Sequence, residues 1–390
     1  MSTAAGARVA LVHDWLTGMR GGEKVLAAIA ELYPAAPIFS LLHARGSVSP
    51  DIERHAVRTS FVQRLPTATR HYRQLLPLFP AAVELFDLDD FDLVISTSHC
   101  AVKSAIRPGR AVHVCYCHSP MRYAWDQFDA YFGPAQVGKA KSRLLRPVMA
   151  ALARWDASTA GRVDSYLANS QYVAGRIRRY YNRGSTVVYP PVDTDFYRPN
   201  ADRRPTRSGF LIVSALAPYK RLDVAIKACQ QLGAPLTIVG TGPERAKLER
   251  SAGPGVTFLG WQSNEQIRER YRAAEAAILP GAEDFGIVPV EAQACGCPVV
   301  ALAEGGAVET VVDGKTGVLV RESSSAAFAD ALSRVRNLDI DESALRAHAE
   351  GFSREQFLSK FQAAVDTALS QRSAGSSAPV PQSISGGPAR

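Results

Sequence analysis

No stretch of this chain approaches the roughly 20 consecutive apolar residues that a membrane-spanning helix requires. The apolar run Val9–Val12 near the start is far too short for a secretory h-region and reads as a strand. Cysteine is sparse, with six in 390 residues. Without a secretory signal they are expected as reduced thiols, and the chain reads as cytoplasmic. The pairs Cys115/Cys117 and Cys295/Cys297 do not have the usual zinc spacing, and Cys115 lies in an apolar run, so both pairs read as small core residues. Nothing resembles a nucleic-acid module, so the net charge of +8 does not point to nucleic acid as a partner. Acidic residues are nearly missing from one segment. Between Val137 and Arg183 stand Lys139, Lys141, Arg143, Arg146, Arg154, Arg162, Arg176, Arg178, Arg179 and Arg183, opposed only by Asp156 and Asp164. This excess equals the whole net charge. It reads either as a solvated helical face or as a patch, Lys139–Arg183, by which a peripheral protein meets the anionic inner face of a membrane.

What the chain has in plenty is alternation. Its length suits two domains, and 46% apolar residues allow each a core. "RVALVHDW" reads as a strand, "TGMRGG" as a glycine turn, and Glu23–Leu32 as a helix. "APIFSLL", "DLVISTSH", "AVHVCYCH", "SYLANS" and "STVVYPPV" are further strands, and "QYVAGRIRRYY" is a basic helix. After a stretch rich in proline and charge the pattern restarts with "GFLIVSAL", "PLTIVG", "VTFLGW", "AAILP", "PVVALA" and "TGVLV", with helical patterns between them. Strands alternating with helices predict parallel sheets covered on both faces. The expected fold is α/β, with two doubly wound Rossmann-like domains facing a central cleft. The expected limits are 1–190 for the first domain, 191–208 for a linker and 209–352 for the second domain. A C-terminal helix over 353–370 is expected to pack back on the first domain, and a Ser-, Ala-, Pro-, Gly- and Gln-containing tail over 371–390 is expected to be disordered.

In open α/β sheets ligands lie beyond the carboxyl ends of the strands. Glu283 falls in the loop after "AAILP", and a helix is expected from about Ile287, with Pro289 in its first turn and Gly296 near its end. The loop–helix junction Asp284–Val288 then presents unpaired N–H groups and a positive dipole end, which suits phosphate. Glu283 lies ahead of that junction and Glu291 one turn behind it. Two carboxylates on either side of a diphosphate match the hydroxyls of a sugar nucleotide: sugar on one side, ribose on the other.

This segment and its surroundings resemble the E-x-seven-E region of retaining, nucleotide-sugar-dependent glycosyltransferases of family 4, which have the GT-B fold. The resemblance covers nearly the whole chain before the tail and is carried in order by "ANSQYVAGRIRRYY", "VVYPPVDTDFY", "IVGTGPERAKLE", "VTFLGWQSNEQIRERYRAAEAAILP" and "GGAVETVVDGKTGVLV". "VHDWLTGMRGGEKVL" and "CYCHSPMRYAWDQFDAYFG" are similar to a bacterial subgroup that builds surface polysaccharides, many of them mannosyltransferases using GDP-mannose. The resemblance implies that Glu283 binds donor-sugar hydroxyls and that Phe285, Gly286 and Ile287 offer backbone contacts. It implies that Glu291 holds the ribose and Lys220 the diphosphate. Gly21 and Gly22 would let the backbone approach the donor, and His118 would lie near the reacting sugar. Base selection is expected near Gly240–Glu244 and Gly260–Gln262. Many relatives carry an arginine five residues before the lysine, whereas Ala215 stands there here. Arg221 is expected to supply part of the missing charge.

Glycosyltransferases of the other large fold hold a divalent metal with D-x-D pairs, and Asp87/Asp89 and Asp90/Asp92 have that form. They precede the strand "LVISTS", so they are expected at its amino end, away from the cleft. No metal and no cofactor is required in this reading, because Lys220 and the helix dipole can neutralise a leaving diphosphate. The expected activity is transfer of a hexose, mannose from GDP-mannose, to a lipid-linked or growing saccharide acceptor. The same fold with a UDP- or dTDP-sugar remains open, as does a non-catalytic sugar-nucleotide-binding subunit of a polysaccharide assembly complex.

Overall fold

A computed structural model of the chain describes residues 6–200 and 206–376. The apolar runs form two parallel sheets. Seven strands make the first: β1 (Val9–His13), β2 (Ile38–Ser40), β3 (Val57–Thr59), β4 (Leu93–Ser98), β5 (Val112–Cys117), β6 (Ser165–Ala168) and β7 (Thr186–Val187), in the order β3-β2-β1-β4-β5-β6-β7. Six make the second: β8 (Phe210–Val213), β9 (Leu236–Val239), β10 (Val256–Gly260), β11 (Ala276–Leu279), β12 (Val299–Leu302) and β13 (Gly317–Val320), in the order β10-β9-β8-β11-β12-β13. β4 and β5 are buried along their whole length, which is why they read as continuous runs of apolar and small residues. β3 is not among the strands that the apolar runs predict. It is a three-residue edge strand with Arg58 and Thr59 exposed, so it carries no buried-strand signature.

In each sheet the strand order reverses beside the first strand, between β1 and β4 and between β8 and β11. A crevice opens beyond the carboxyl ends at such a point. The residues after β1, β5, β8 and β11 are therefore those that face a ligand. Five helices matter below: α1 (Gly21–Leu32), α2 (Lys139–Ser158), α3 (Gln171–Tyr181), α4 (Ile287–Ala294) and α5 (Arg354–Ser376). α1 is rich in alanine and buries Val25, Leu26, Ala28 and Ile29.

The chain crosses between domains twice, and the two crossings run side by side: the Val192 N–H donates to the Phe352 carbonyl at 3.0 Å. After the second crossing α5 lies on the first domain. Phe357, Phe361 and Val365 join Leu11, Ile29, Val114 and Tyr116 in one apolar cluster. The helix runs on to Ser376, past residue 371, where a tail was expected to begin. Arg372 anchors this last part, 3.6 Å from Asp164 and bonded to the Gly109 carbonyl. Residues 377–390 of that tail, and 201–205 of the expected linker, lie outside the described residues.

Phe361 has no exposed surface and stacks on Phe357. Truncating a buried phenylalanine leaves a cavity that surrounding side chains fill incompletely, and costs about 3–5 kcal/mol. Phe361→Ala is expected to lose that much stability by urea titration. A loss below about 1 kcal/mol would show that α5 does not depend on this packing.

Candidate functional site

β11 ends at Leu279, and residues 280–286 turn the chain into α4. Gly286 caps the helix with φ +83°, a conformation that side-chain-bearing residues rarely adopt. The opposite wall is equally restricted. A Cβ on Gly306 would lie 2.3 Å from the Phe285 Cα, and the Gly306 N–H donates to the Glu283 carbonyl at 2.8 Å. The "GGAVE" stretch thus braces the loop that carries Glu283.

Each glutamate of this segment meets a lysine. Glu283 Oε1 lies 2.5 Å from Lys220 Nζ, which stands after β8 in the same domain. Glu291 is buried in α4; its Oε1 receives Lys24 Nζ from α1 of the other domain at 3.0 Å, and the Tyr271 hydroxyl lies 3.4 Å from its Oε2. Asp284, between them in sequence, is also buried and bonds to two arginines of the first domain. Arg176 Nη1 approaches Oδ1 at 3.0 Å, and Arg122 Nη2 bonds to Oδ2. The Ser170 hydroxyl donates to the Asp284 carbonyl at 2.5 Å. Glu309, from the second domain, accepts from the Gln171 and Tyr172 N–H groups at 2.8 and 3.1 Å and so caps α3 of the first. Polar contacts therefore join the two sides of the cleft.

On the first-domain side, the turn after β1 brings Gly21 and Gly22 against these elements. A Cβ on Gly21 would lie 3.2 Å from the Ile287 side chain, and one on Gly22 would lie 3.6 Å from both His118 Nε2 and His13 Cε1. His13 Nδ1 is 2.6 Å from the Thr97 hydroxyl. The Nε2 atoms of His13 and His118 and the Thr17 hydroxyl are buried without a hydrogen-bond partner. The two imidazoles lie against Gly22, and His13 Nε2 is 4.0 Å from the buried Glu23 carboxylate, so His118 Nε2 is the atom left open to a hydroxyl-bearing ligand.

The structure thus brings together His118, Gly21, Gly22, Ile287, Glu291, Glu283 and Lys220. Phe285 is different: its ring is buried against Tyr189 and Phe352, so only its backbone can face a ligand. Gly240 lies where β9 ends beside the exit of β8, with φ +132°, and a Cβ there would strike the Ser214 carbonyl. Arg221 has φ +53°, is half-exposed and reaches toward Asp223 at 3.6 Å, so it stands apart from the lysine beside it. The sequence reading missed Lys24, Arg122, Arg176 and Asp284 as a group, although "SPMRYAW" and "EDFG" contain two of them. A cavity of about 50 Å³ between the domains is lined by Arg122, Gln127, Arg176, Lys220, Glu283 and Asp284, among others. A larger cavity, about 640 Å³, lies around Gly296, Arg336 and Glu342, at the amino ends of β11 and β12 and away from these groups.

Among the described residues no group of three or more His, Cys, Asp or Glu is placed to hold a metal ion. Asp92 accepts from the Arg8 N–H at 3.0 Å, and Asp90 lies 3.7 Å from Arg8, so these acids close the turn at the amino end of β4. All six cysteines are free and buried.

Burial sets the charge state of His113 and His118. It disfavours the imidazolium, pushing fully enclosed His113 down to about 4 and His118 well below its ordinary value. The unfolded chain binds protons near pH 6.5 that the folded protein refuses. Stability is therefore full above that pH and declines as the pH falls, by at most about 1.4 kcal/mol per pH unit for each such histidine. Urea midpoints measured from pH 7.5 to 5.5 are expected to fall, and His118→Gln is expected to flatten the fall. Midpoints that stay level in the wild type would contradict neutral histidines here.

Residues 19–196 match the family described as Glycosyltransferase Family 4, and residues 193–352 match the family described as Glycosyl transferases group 1. The D-inositol 3-phosphate glycosyltransferase of Mycolicibacterium smegmatis is 34% identical over 212 residues, covering 48% of each chain. That of Mycobacterium tuberculosis strain H37Ra is 36% identical over 173 residues, covering 39% of this chain and 36% of its own. The chain thus spans less than half the length of these curated relatives. Among solved structures, Anabaena Alr3699/HepE in complex with UDP and glucose has a TM-score of 0.69 at 20% identity, covering 93% of this chain and all of its own. The sucrose-phosphate synthase of Thermosynechococcus elongatus has a TM-score of 0.65 at 18% identity, covering 95% of this chain and all of its own. At these identities the likeness is one of fold, and it extends through both domains. The two glycosyltransferase family matches overlap at residues 193–196 and together cover residues 19–352, one for each domain of a GT-B fold.

Proposed function

We propose that the chain transfers a hexose from a sugar nucleotide to a lipid-linked or growing saccharide acceptor, with retention of configuration, and that the donor is GDP-mannose. The observation that carries this reading is the pair of lysine-matched glutamates on either side of the α4 N-terminus, with Ile287 of that terminus against Gly21 of the other domain. When a donor enters, its diphosphate draws Lys220 and the helix end. Glu283 is then free to accept hydrogen bonds from sugar hydroxyls, and Glu291 to accept them from the ribose. The bond between the anomeric carbon and the diphosphate oxygen breaks, and Lys220 and the helix dipole stabilise the charge that develops on that oxygen. The acceptor hydroxyl forms the new bond on the same face and gives its proton to a donor-phosphate oxygen. Neutral His118 can bond to a hydroxyl of the reacting sugar.

Turnover of a panel of GDP-, UDP- and dTDP-sugars tests the donor. GDP-mannose is expected to be used fastest, and a faster UDP- or dTDP-sugar would replace it. Glu283→Ala is expected to lower turnover by on the order of 10²-fold or more, since a hydrogen bond to a charged group is worth about 1.5–3 kcal/mol. Binding of nucleoside diphosphate alone is expected to survive the change. Wild-type turnover in this variant would remove Glu283 from the site.

The basic segment is a second part of the proposal. Several of its charges are used inside the fold: Arg176 on Asp284, Arg162 on Glu84 at 2.7 Å and Arg183 on the Val163 carbonyl at 2.8 Å. What remains is chiefly the outer face of α2, where Lys139, Lys141, Arg143 and Arg154 are exposed beside Leu144, itself 71% exposed. Among the described residues no helix is long and apolar enough to cross a membrane. A basic face with an apolar side chain suits binding at the surface of an anionic bilayer. The protein is expected to sediment with vesicles containing anionic lipid, to leave them as salt rises, and to lose about 1 kcal/mol for each of Lys139, Lys141 and Arg143 changed to Gln. Equal binding to neutral and anionic vesicles would refute this.

A further inference from the structure

We propose that Arg122, supplied across the cleft by the first domain, is a diphosphate-binding residue that acts with Lys220. The inference rests on the sugar-nucleotide reading above and adds a residue to it. Arg122 follows β5 on the same strand-end loop as His118, so it belongs to the ligand-facing edge of its sheet. It lines the cavity of about 50 Å³ together with Lys220, Glu283 and Asp284. Consecutive residues of one loop hold the two cations: Glu283 holds Lys220 and Asp284 holds Arg122.

Arg176 makes Arg122 free to leave. Arg176 is fixed: its side chain is 7% exposed, and its Nη atoms bond to Asp126 at 2.9 Å and to Asp284 at 3.0 Å. If Arg122 turned to a phosphate, Asp284 would keep Arg176 as partner, so no buried carboxylate would be left unpaired. Among the described residues Arg122 meets no second carboxylate, and its side chain is 30% exposed. Two further polar atoms at the same cavity, Arg176 Nε and Gln127 Oε1, are buried without a hydrogen-bond partner. An unused guanidinium N–H beside two paired cations suits an incoming anion. Arg221, beside the lysine in sequence, does not compete for the role, because it is half-exposed on Asp223 and is not in the cavity lining. Ala215 has no charge, so the cation comes from the opposite domain.

The test is calorimetric titration of GDP, UDP and the corresponding monophosphates into wild type, Arg122→Met and Arg122→Lys. The wild type is expected to prefer a diphosphate over its monophosphate. Arg122→Met is expected to lose on the order of 10- to 100-fold of diphosphate affinity with monophosphate affinity nearly unchanged. Arg122→Lys is expected to recover part of the preference. Combining Arg122→Met with Lys220→Met is expected to be non-additive. If Arg122 only joined the domains, Arg122→Met would weaken mono- and diphosphates alike or neither, and that result would overturn the proposal. Arg122→Lys without any recovery would also overturn it. A wild type that binds neither diphosphate would overturn the sugar-nucleotide reading itself, which separates the two failures.

Discussion

Asp284 is a buried carboxylate with two arginines of the opposite domain on it, and the rest of the cleft is arranged around that contact. A carboxylate out of water is tolerated only when paired and hydrogen-bonded, so Asp284 requires the first domain to be where it is. Its neighbours in sequence inherit their positions. Glu283 turns to Lys220, Gly286 starts the helix, and Glu291 one turn later meets Lys24. Ser170 and Glu309 add polar contacts at the same seam. Breaking one partner from such a cluster is far more costly than exchanging it for another charge.

The contacts described across the cleft at this point are largely polar. Polar inter-domain surfaces leave relative motion available, whereas large apolar ones do not. The apolar clusters lie mainly within each sheet-and-helix domain, with α5 returning to cover the first. In the proposed reading a charged ligand is admitted when these ion pairs exchange partners. The small cavity of about 50 Å³ is consistent with charges resting on one another.

Strand order adds the geometry. Both sheets reverse beside their first strand, so both place their switch point at the carboxyl ends of central strands. The glycine turn after β1, the His118 loop after β5, Lys220 after β8 and Glu283 after β11 all follow from that single rule. The acids Asp87 to Asp92 precede β4 and are excluded by the same rule; Asp90 pairs with Arg8, and Asp92 with Arg8 and Arg110.

Much of this was legible in the sequence because it is local. Apolar runs of four to six residues name the central strands, and their order places the loops. The loop–helix junction ahead of Glu291 is legible because Gly286 permits a left-handed turn and Pro289 fixes the backbone of the first helical turn. Edge strand β3 was not legible, since an exposed edge carries no apolar run. The stretch 61–84 was not read as helical, because it is broken into short α and 3₁₀ turns around Pro77. The partners of the acids in the cleft were decided by tertiary structure alone. Arg122, Arg176 and Lys24 lie 162, 108 and 267 residues from the carboxylates they meet. No spacing rule reaches that far. Adjacency in sequence pointed instead to Arg221, which a left-handed backbone turns toward Asp223. Local pattern determined which residues stand at strand ends; only the docking of two domains decided which charges face each other, because a buried ion pair depends on distance in space.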